Sequence, residues 1–284
     1  GFVKWLMDEA NFIIFSFRDF TRFIAWLIEL PYNLVLALIS KGFLSGQGQD
    51  AIEILSPLSW MSIIAIIMFM ALYTKDKLLV FLVFFAFLYL AVFGQWKSSM
   101  VTLSSIVIAV PVGVIIGLLL GILSYKSELL EKIITPVLDL MQTIPVFAYL
   151  VPILVMFGFG PVAALIATII YAMPPMVRTT FLALKNVDPQ IKESGLMSGC
   201  TKRQLMWKVL IPTSKPTLMI GVNQVIMLSL NMVIIASMIG AGGLGYDVLA
   251  SLRRLNIGAG IETGVAIVVL AIALDRLSQA FVNI

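Results

Sequence analysis

Residues 184–215, LKNVDPQIKESGLMSGCTKRQLMWKVLIPTSK, form a polar stretch between two long apolar stretches. Six of the nineteen Lys and Arg residues of the chain lie in it, opposed only by Asp188 and Glu193. Such an excess of Lys and Arg between membrane spans is typical of the cytoplasmic side. Asp188 and Pro189 predict the start of a helix, and apolar residues that alternate with charged ones favour short helices on the inner face of a membrane. Gly195 and Gly199 are expected to thin the surface where another protein could approach closely, and Pro212 and Pro216 to end the segment.

The composition is that of an integral membrane protein. Of the 284 residues, 61% are hydrophobic and only 12% are charged, whereas soluble domains contain about 45–50% apolar residues. The net charge of +4 is too small and too localised to indicate nucleic-acid binding. The chain has no histidine and one cysteine, Cys200, which excludes an internal disulfide and a metal site built from His and Cys. It also lacks a P-loop sequence, so we expect this chain to bind no ATP, metal or other cofactor.

The apolar stretches predict seven membrane spans. We place them at Leu58–Tyr73, Leu78–Gln95, Met100–Ser124, Pro136–Phe157, Pro161–Leu184, Thr217–Gly240 and Gly260–Phe281. With residues 185–215 inside, alternation gives the side of each other loop: inside for 74–77 and 125–135, outside for 41–57 and 241–259. Arg253 and Arg254 then lie outside, where an acidic partner would meet them. The predicted fold is an all-α polytopic membrane protein with five core spans from Met100 onward and two accessory spans before them.

The N-terminal region is apolar but interrupted by polar residues. Four of these recur at helical spacing on one face, at Asn11, Arg18, Arg22 and Glu29. This pattern predicts an amphipathic helix in the membrane interface, which Pro31 kinks or restarts; the alternative is a tilted span over residues 20–40. Lys4 precedes only a short apolar stretch, so no cleavable signal is expected. With a loop at 41–56, we divide the chain into an N-terminal amphipathic segment, residues 1–56, and a membrane domain, residues 57–284.

Two groups of glycines allow a structural or a functional interpretation. Gly113, Gly117 and Gly121 are spaced by four, so they form a stripe for close helix packing, either within the subunit or between two copies. The glycines of residues 240–245 follow a span rather than a strand, which argues against a dinucleotide site. They predict a tight external turn, and the functional alternative is that this turn lines an outer gate.

The span Thr217–Gly240 is unusually polar. Gln224 and Asn231 are seven residues apart and share a face, while Asn223 lies off it. Such amides either join helices or line a substrate path with weak polar contacts. Prolines also interrupt two spans, at Pro145, Pro152, Pro174 and Pro175. They form either static kinks or hinges that let half-helices tilt during alternating access.

Few ionisable residues fall within the predicted spans. Arg178 lies near the inner end of its span and is expected to extend to the cytoplasmic interface. Asp275 and Arg276 are adjacent near the inner end of the last span, and we interpret them as an interfacial pair or anchor. The near absence of deeper charges argues against ion-coupled transport, so the energy for transport would come from another protein.

Several motifs together resemble a known family. Glu193-Ser194-Gly195, three residues, Gly199, nine residues and Val209-Leu210-Ile211-Pro212 resemble the EAA loop of ABC importer permeases. The loop departs from the family pattern at Ser194, Gly195, Val209 and Ile211, and all four changes are small. Further short motifs resemble the glycine betaine/proline betaine permeases: residues 142–145, 149–152, 173–175, 221–224, 242–245 and 274–277. The resemblance covers roughly residues 57–282.

The resemblance implies a type I ABC importer transmembrane domain in a bacterial inner membrane. Its partners would be a second copy of the chain, two cytoplasmic ATPase subunits that bind MgATP, and an extracytoplasmic binding protein. The implied substrate is a small methylated-ammonium osmolyte such as glycine betaine or proline betaine, and choline or trimethylamine N-oxide is the alternative. The residues implied in ATPase coupling are Glu193, Ser194, Gly195, Gly199, Lys202, Arg203 and Pro212. Those assigned to the substrate pathway are Asn223, Gln224, Asn231, Pro145 and Tyr149. From another class, a stand-alone secondary carrier remains the competing interpretation.

Overall fold

The computed structural model describes residues 2–45, 52–74 and 76–282, and these form helices and one short hairpin. The helices are α1 Phe2–Leu36, α2 Trp60–Tyr73, α3 Lys77–Val92, α4 Trp96–Lys126, α5 Glu128–Thr143, α6 Val146–Phe157, α7 Pro161–Ala172, α8 Pro174–Lys185, α9 Pro189–Met197, α10 Lys202–Gln204, α11 Ile211–Thr213, α12 Lys215–Ser237, α13 Gly243–Arg253 and α14 Ile257–Val282. Two π-helical stretches, Ala37–Lys41 and Leu205–Leu210, follow α1 and α10. The predicted all-α membrane architecture is confirmed.

Five stretches in the described part of the chain are long and apolar enough to cross a membrane. They are Asp19–Lys41, Trp96–Lys126, Pro161–Lys185, Lys215–Ser237 and Ile257–Ala280. The two accessory spans predicted before the core correspond to α2 and α3, which have only 14 and 16 residues. At 1.5 Å per residue they are roughly 21 and 24 Å long, shorter than the ~30 Å hydrocarbon core.

The predicted span Pro136–Phe157 is not a single helix. It consists of the end of α5 and all of α6, and the two helices meet at an angle of 105°. Ile144 is extended, with φ −68° and ψ 131°, because the ring of the following Pro145 disfavours the helical conformation at the residue before it. Pro145 therefore breaks the helix, whereas Pro152 lies inside α6. By contrast, Met173 between α7 and α8 keeps helical angles, and residues 161–185 run as one span.

The N-terminal helix packs on the core. α1 continues through Pro31, and Tyr32 and Leu36 are buried against Ala109 of α4 and Leu165 of α7. This contact fits the alternative of a tilted span over residues 20–40 better than a helix lying flat in the interface. The predicted polar face at Asn11 and Arg18 lies outside the residues whose side chains the structure describes. The expected loop at 41–56 contains an antiparallel hairpin, β1 (Phe43–Ser45) with β2 (Ile52–Leu55).

The glycine stripe of α4 packs within the chain. A Cβ atom at Gly117 would lie 2.6 Å from Cβ of Met176, and one at Gly121 would lie 2.5 Å from Cβ of Thr180. Both neighbours belong to α8. At Gly113 a Cβ would meet only Cγ1 of Val225, at an ordinary 3.5 Å. The stripe therefore holds α8 against α4, which supports packing inside the subunit over a contact between two copies.

Gly121→Ala is expected to destabilise the bundle, because a Cβ there would also lie 2.8 Å from the carbonyl oxygen of Val177. Overpacking of this kind costs about 1–3 kcal/mol. Gly113→Ala makes the same change on the same helix without a clash and should be neutral or stabilising, since alanine favours helix by about 1 kcal/mol over glycine. Thermal unfolding in lipid nanodiscs measures both variants, and equal Tm values would contradict the packing described.

The glycine turn at residues 240–245 joins three helices. Gly242 and Gly243 have φ of +69° and +71°, a region that residues with a side chain rarely adopt. The turn brings the buried Leu244 N–H to Thr102 Oγ1 at 3.0 Å, which ties α13 to α4. A Cβ at Gly245 would lie 2.3 Å from the carbonyl oxygen of Val233, so α13 also approaches the α12 backbone closely. These contacts confirm the tight turn.

Candidate functional site

The polar stretch begins with the helix that its sequence predicts. The Asp188 side chain accepts a hydrogen bond from the Gln190 backbone N–H at 2.9 Å, and Pro189 occupies the first position of α9. Both features stabilise a helix start, because the first N–H groups of a helix lack internal partners. α9 therefore begins at a defined residue, directly after the Asp188 cap.

Gly199 ends α9 by its backbone conformation. Its φ is +76°, and a Cβ there would have no atom within 4 Å, so the requirement for glycine is conformational. The Cys200 N–H donates to the Gly195 carbonyl at 3.2 Å and the Gly199 N–H donates to the Leu196 carbonyl at 3.0 Å. These two bonds form a Schellman motif, the usual way in which a left-handed glycine stops a helix.

A second helical run starts immediately after this stop. Thr201 and Gln204 form a capping box, in which each side chain bonds the backbone N–H of the other residue. α10, the π-helix and α11 then continue without a break to Thr213, and Ser214 precedes α12. Pro212 has no N–H to donate within this run, and the helical run ends one residue after it. Residues 188–213, which we call the coupling segment after the role that the sequence resemblance implies, are thus two short helices joined by a four-residue turn.

Buried contacts attach the coupling segment to the membrane helices. Met206 and Leu210 are buried with Leu184 of α8 and Ile122 of α4, and burial stabilises such a contact by about 1.5–3 kcal/mol per side chain. The Ser214 Oγ donates to the Ala183 carbonyl at 3.1 Å in the same region. A displacement of the coupling segment would therefore be transmitted to α4 and α8.

Gly195 has a different place from the one expected. It is buried, and its Cβ would lie 2.7 Å from Cδ1 of Leu205 and 3.5 Å from Cγ2 of Val209. Gly195 therefore lets α9 approach the following π-helix, and it does not thin an outer surface for a partner. The sequence could not separate these roles, because the contact joins residues ten or more positions apart.

The exposed surface of the coupling segment carries both polar or charged and large apolar side chains. Six of the seven residues that the resemblance implies in ATPase coupling lie on this surface: Glu193, Ser194, Gly199, Lys202, Arg203 and Pro212. Met197 is 89% exposed and Trp207 is 52% exposed, and sequence reasoning did not single them out. Large apolar side chains in a charged loop are the signal that could have found them, since exposed apolar groups rimmed by polar ones mark protein interaction sites. A groove of about 420 Å³ runs beside Ser194 and Val209.

A second feature is a cavity of about 870 Å³ between α5, α8, α12 and α14. Its lining residues include Gln142, Arg178, Asn186, Thr217, Asn223, Gln224, Asp275 and Gln279. Asn186 and Thr217 directly flank the coupling segment, so the cavity reaches the side of the molecule that carries the basic loop. Asn223 Oδ1 accepts a hydrogen bond from Ser278 Oγ at 2.9 Å, joining α12 to α14.

The structure brings together two of the five predicted pathway residues. Asn223 and Gln224 line the cavity. Asn231 lies outside it, exposed on α12. Pro145 is at the bend between α5 and α6, and Tyr149 packs on an apolar cluster that includes Leu150. Which helix faces surround a cavity depends on packing between residues that are far apart in sequence. The sequence alone therefore could not show which of the five residues line it.

Two charged residues expected at the interface also line the cavity. The Arg178 guanidinium forms an ion pair with Asp139 of α5. Asp275 accepts two hydrogen bonds from Gln279 Nε2, at 2.9 and 2.8 Å, and within the described ranges it has no ion pair with Arg276. The interpretation of Asp275 and Arg276 as a pair is therefore wrong, because successive helical residues point about 100° apart. The near absence of charges within the predicted spans, which argued against ion-coupled transport, does not extend to this cavity.

The chain is similar to known transport proteins. Residues 113–284 match the family described as binding-protein-dependent transport system inner membrane component. The trimethylamine N-oxide transport system permease protein TmoV of Pelagibacter ubique is 41% identical over 94% of this chain and 38% of its own length. The glycine betaine/proline betaine permease protein ProW of Escherichia coli is 48% identical over 66% of this chain and 53% of its own. The chain thus spans about a third to a half of these relatives.

A solved structure has a similar fold. A chain of the inward-facing MetNI methionine ABC transporter superposes with a TM-score of 0.59 at 24% identity, over 64% of this chain and 92% of that one. The likeness shows the same helical arrangement. With the family match covering residues 113–284, more than half of the sequence, the chain belongs to the family of binding-protein-dependent transport system inner membrane components.

Proposed function

We propose that the chain is the permease subunit of an ATP-driven importer. The observation that carries the proposal is the coupling segment, which is exposed on one side and anchored on the other to α4 and α8 through Met206 and Leu210. Residues 57–284 form the permease domain, and residues 1–56 are an accessory segment beside it. Glu193, Lys202 and Arg203 contact the ATPase, Ser194 lies at the groove, and Gly195, Gly199 and Pro212 set the shape of the segment.

The energy comes from two cytoplasmic ATPase subunits. These partner subunits bind MgATP. Closure of the ATPase dimer pushes on the coupling segment, and the buried cluster around Leu210 passes the motion to α4 and α8. Because α8 contributes Arg178 and Thr179 to the cavity wall, the motion changes access to the cavity.

A second copy of the chain completes the pathway. Gln224 and Asn231 are exposed on the same face of α12, together with Ile220 and Met227. Amide groups in contact with hydrocarbon would be costly without partners. A homodimer removes this cost, because the amide face of each α12 then borders the shared path rather than lipid. This arrangement gives the solute weak polar contacts, which suit a conduit.

The substrate is a compact alkylated ammonium solute, delivered by an extracytoplasmic binding protein. Relatives of this chain are named for glycine betaine/proline betaine and for trimethylamine N-oxide transport. No aromatic side chain is among the described residues that line the cavity, so an aromatic cage for the cation would belong to the binding protein. Glycine betaine or proline betaine is our first assignment, and choline and trimethylamine N-oxide are the alternatives.

Reconstitution tests this function. We expect liposomes that contain the permease, its ATPase subunits, the binding protein and internal MgATP to accumulate labelled glycine betaine. Labelled choline and trimethylamine N-oxide in parallel identify the preferred substrate. Omission of the ATPase or the binding protein should abolish accumulation. Uptake by the permease alone, driven by an ion gradient, would instead establish a secondary carrier.

A further inference from the structure

Asp275 is a half-buried carboxylate on the wall of the cavity. Both of its oxygens accept hydrogen bonds from the Gln279 side chain one helical turn away. In the ranges that the structure describes, no Lys or Arg forms an ion pair with it. Arg178 lines the same cavity, but its guanidinium is paired with Asp139. Asp275 is therefore a negative charge without a positive partner.

Among the described residues that line the cavity, none supplies a free positive charge to balance Asp275. The α12 side of the cavity is partly apolar, at Ile220, Met227 and Leu228, and partly polar but neutral, at Thr217, Asn223 and Gln224. A carboxylate in the membrane-spanning part of a protein usually has a cation, a partner or a functional role. The hydrogen bonds from Gln279 hold the two oxygens in place but do not neutralise them.

We propose that Asp275 binds the cationic head of the transported solute during its passage. The site takes alkylated ammonium ions: the carboxylate attracts the charge, and Ile220, Met227 and Leu228 contact the alkyl groups. This inference rests on the proposed function. A methylated ammonium nitrogen has no N–H to donate, so charge attraction rather than hydrogen bonding makes the interaction, and Gln279 is a positioning residue. Binding in so large a cavity is weak, which allows release into the cytoplasm.

The first test uses the permease alone in nanodiscs and choline as the probe. Saturation-transfer NMR should detect choline binding to the wild type, but little binding of its neutral analogue in which a carbon atom replaces the nitrogen. Asp275→Asn should weaken choline binding by about tenfold, as expected for the loss of a contact worth about 1.4 kcal/mol. Asp275→Glu should restore binding, and Glu262→Gln, the same charge change at the other end of α14, should leave it unchanged.

The second test measures uptake by the complete complex. Labelled glycine betaine uptake should fall by about tenfold in Asp275→Asn, recover in Asp275→Glu and remain unchanged in Glu262→Gln. Equal choline binding by the wild type and Asp275→Asn, or equal binding of choline and its neutral analogue, would overturn the proposal. If Asp275→Asn does not fold, as judged by gel filtration, the proposal is tested by comparing the binding of choline and of its neutral analogue to the wild type. Choline binding without any betaine uptake would instead count against the proposed substrate while upholding the site.

Discussion

Gly199→Val is expected to abolish ATP-driven uptake while the membrane domain still folds and inserts. The φ of +76° at Gly199 lies in the left-handed region, where an L-residue pays about 1–2 kcal/mol and a β-branched residue more. Valine would therefore disrupt the Schellman motif and misalign α9 with the run from Lys202 to Thr213. Since nothing lies within 4 Å of the missing Cβ, the defect should be in conformation and not in packing. We expect uptake to fall by more than about tenfold, because the docking-competent shape becomes a minor state.

Gly199→Asn is the matched control, because asparagine tolerates the left-handed conformation better than other residues with side chains. It should retain most of the uptake. Membrane insertion and gel-filtration behaviour of both variants should match the wild type. Equal uptake by the valine and asparagine variants would show that the helix stop at Gly199 is not required for coupling.

Glu193→Lys is expected to have an effect at least as large. Glu193 is exposed on α9 and forms no ion pair among the described residues, so its charge is available to a partner. Its neighbours on the coupling segment are basic, at Lys192, Lys202 and Arg203. Reversing one charge of a contacting pair places like charges together, which costs about 2–5 kcal/mol and corresponds to roughly 30-fold or more in affinity for the ATPase.

Co-purification of the ATPase and ATP-driven uptake measure the effect of Glu193→Lys. Glu128→Lys makes the same charge change at an exposed position in the first turn of α5, outside the coupling segment, and should leave both nearly unchanged. Glu193→Gln should cause an intermediate loss. Normal ATPase binding by Glu193→Lys would remove this residue from the docking surface.

Local signals in the sequence predicted the ends of α9 well. Asp188 before Pro189 and a glycine ten residues after Pro189 each act on the backbone within one helical turn, and the structure shows the cap and the Schellman motif at those positions. The stripe of Gly117 and Gly121 was also visible as a packing surface. Its partner α8 was not, because nothing in the stripe specifies which helix lies across it.

Long-range contacts account for what the sequence did not predict. The ion pair of Arg178 with Asp139 joins residues 39 positions apart, and the place of Asp275 in the cavity depends on how α14 is rotated against α12. The sharp bend at Pro145 was underestimated because proline in a membrane helix is compatible with a mild kink as well as with a break. The burial of Gly195 against Leu205 depends on the turn at Gly199, which folds the following helical run back onto α9.

The central claim is that the coupling segment faces the cytoplasm and binds the ATPase subunits. Cysteine labelling from each side of the membrane tests this claim most directly. In a Cys200→Ser background, Met197→Cys places a single thiol at a position that is 89% exposed. We predict that a membrane-impermeant maleimide labels it in inside-out vesicles and not in right-side-out vesicles, and that bound ATPase subunits strongly slow the labelling. Labelling from the outer face, or a rate that the ATPase does not change, would contradict the account.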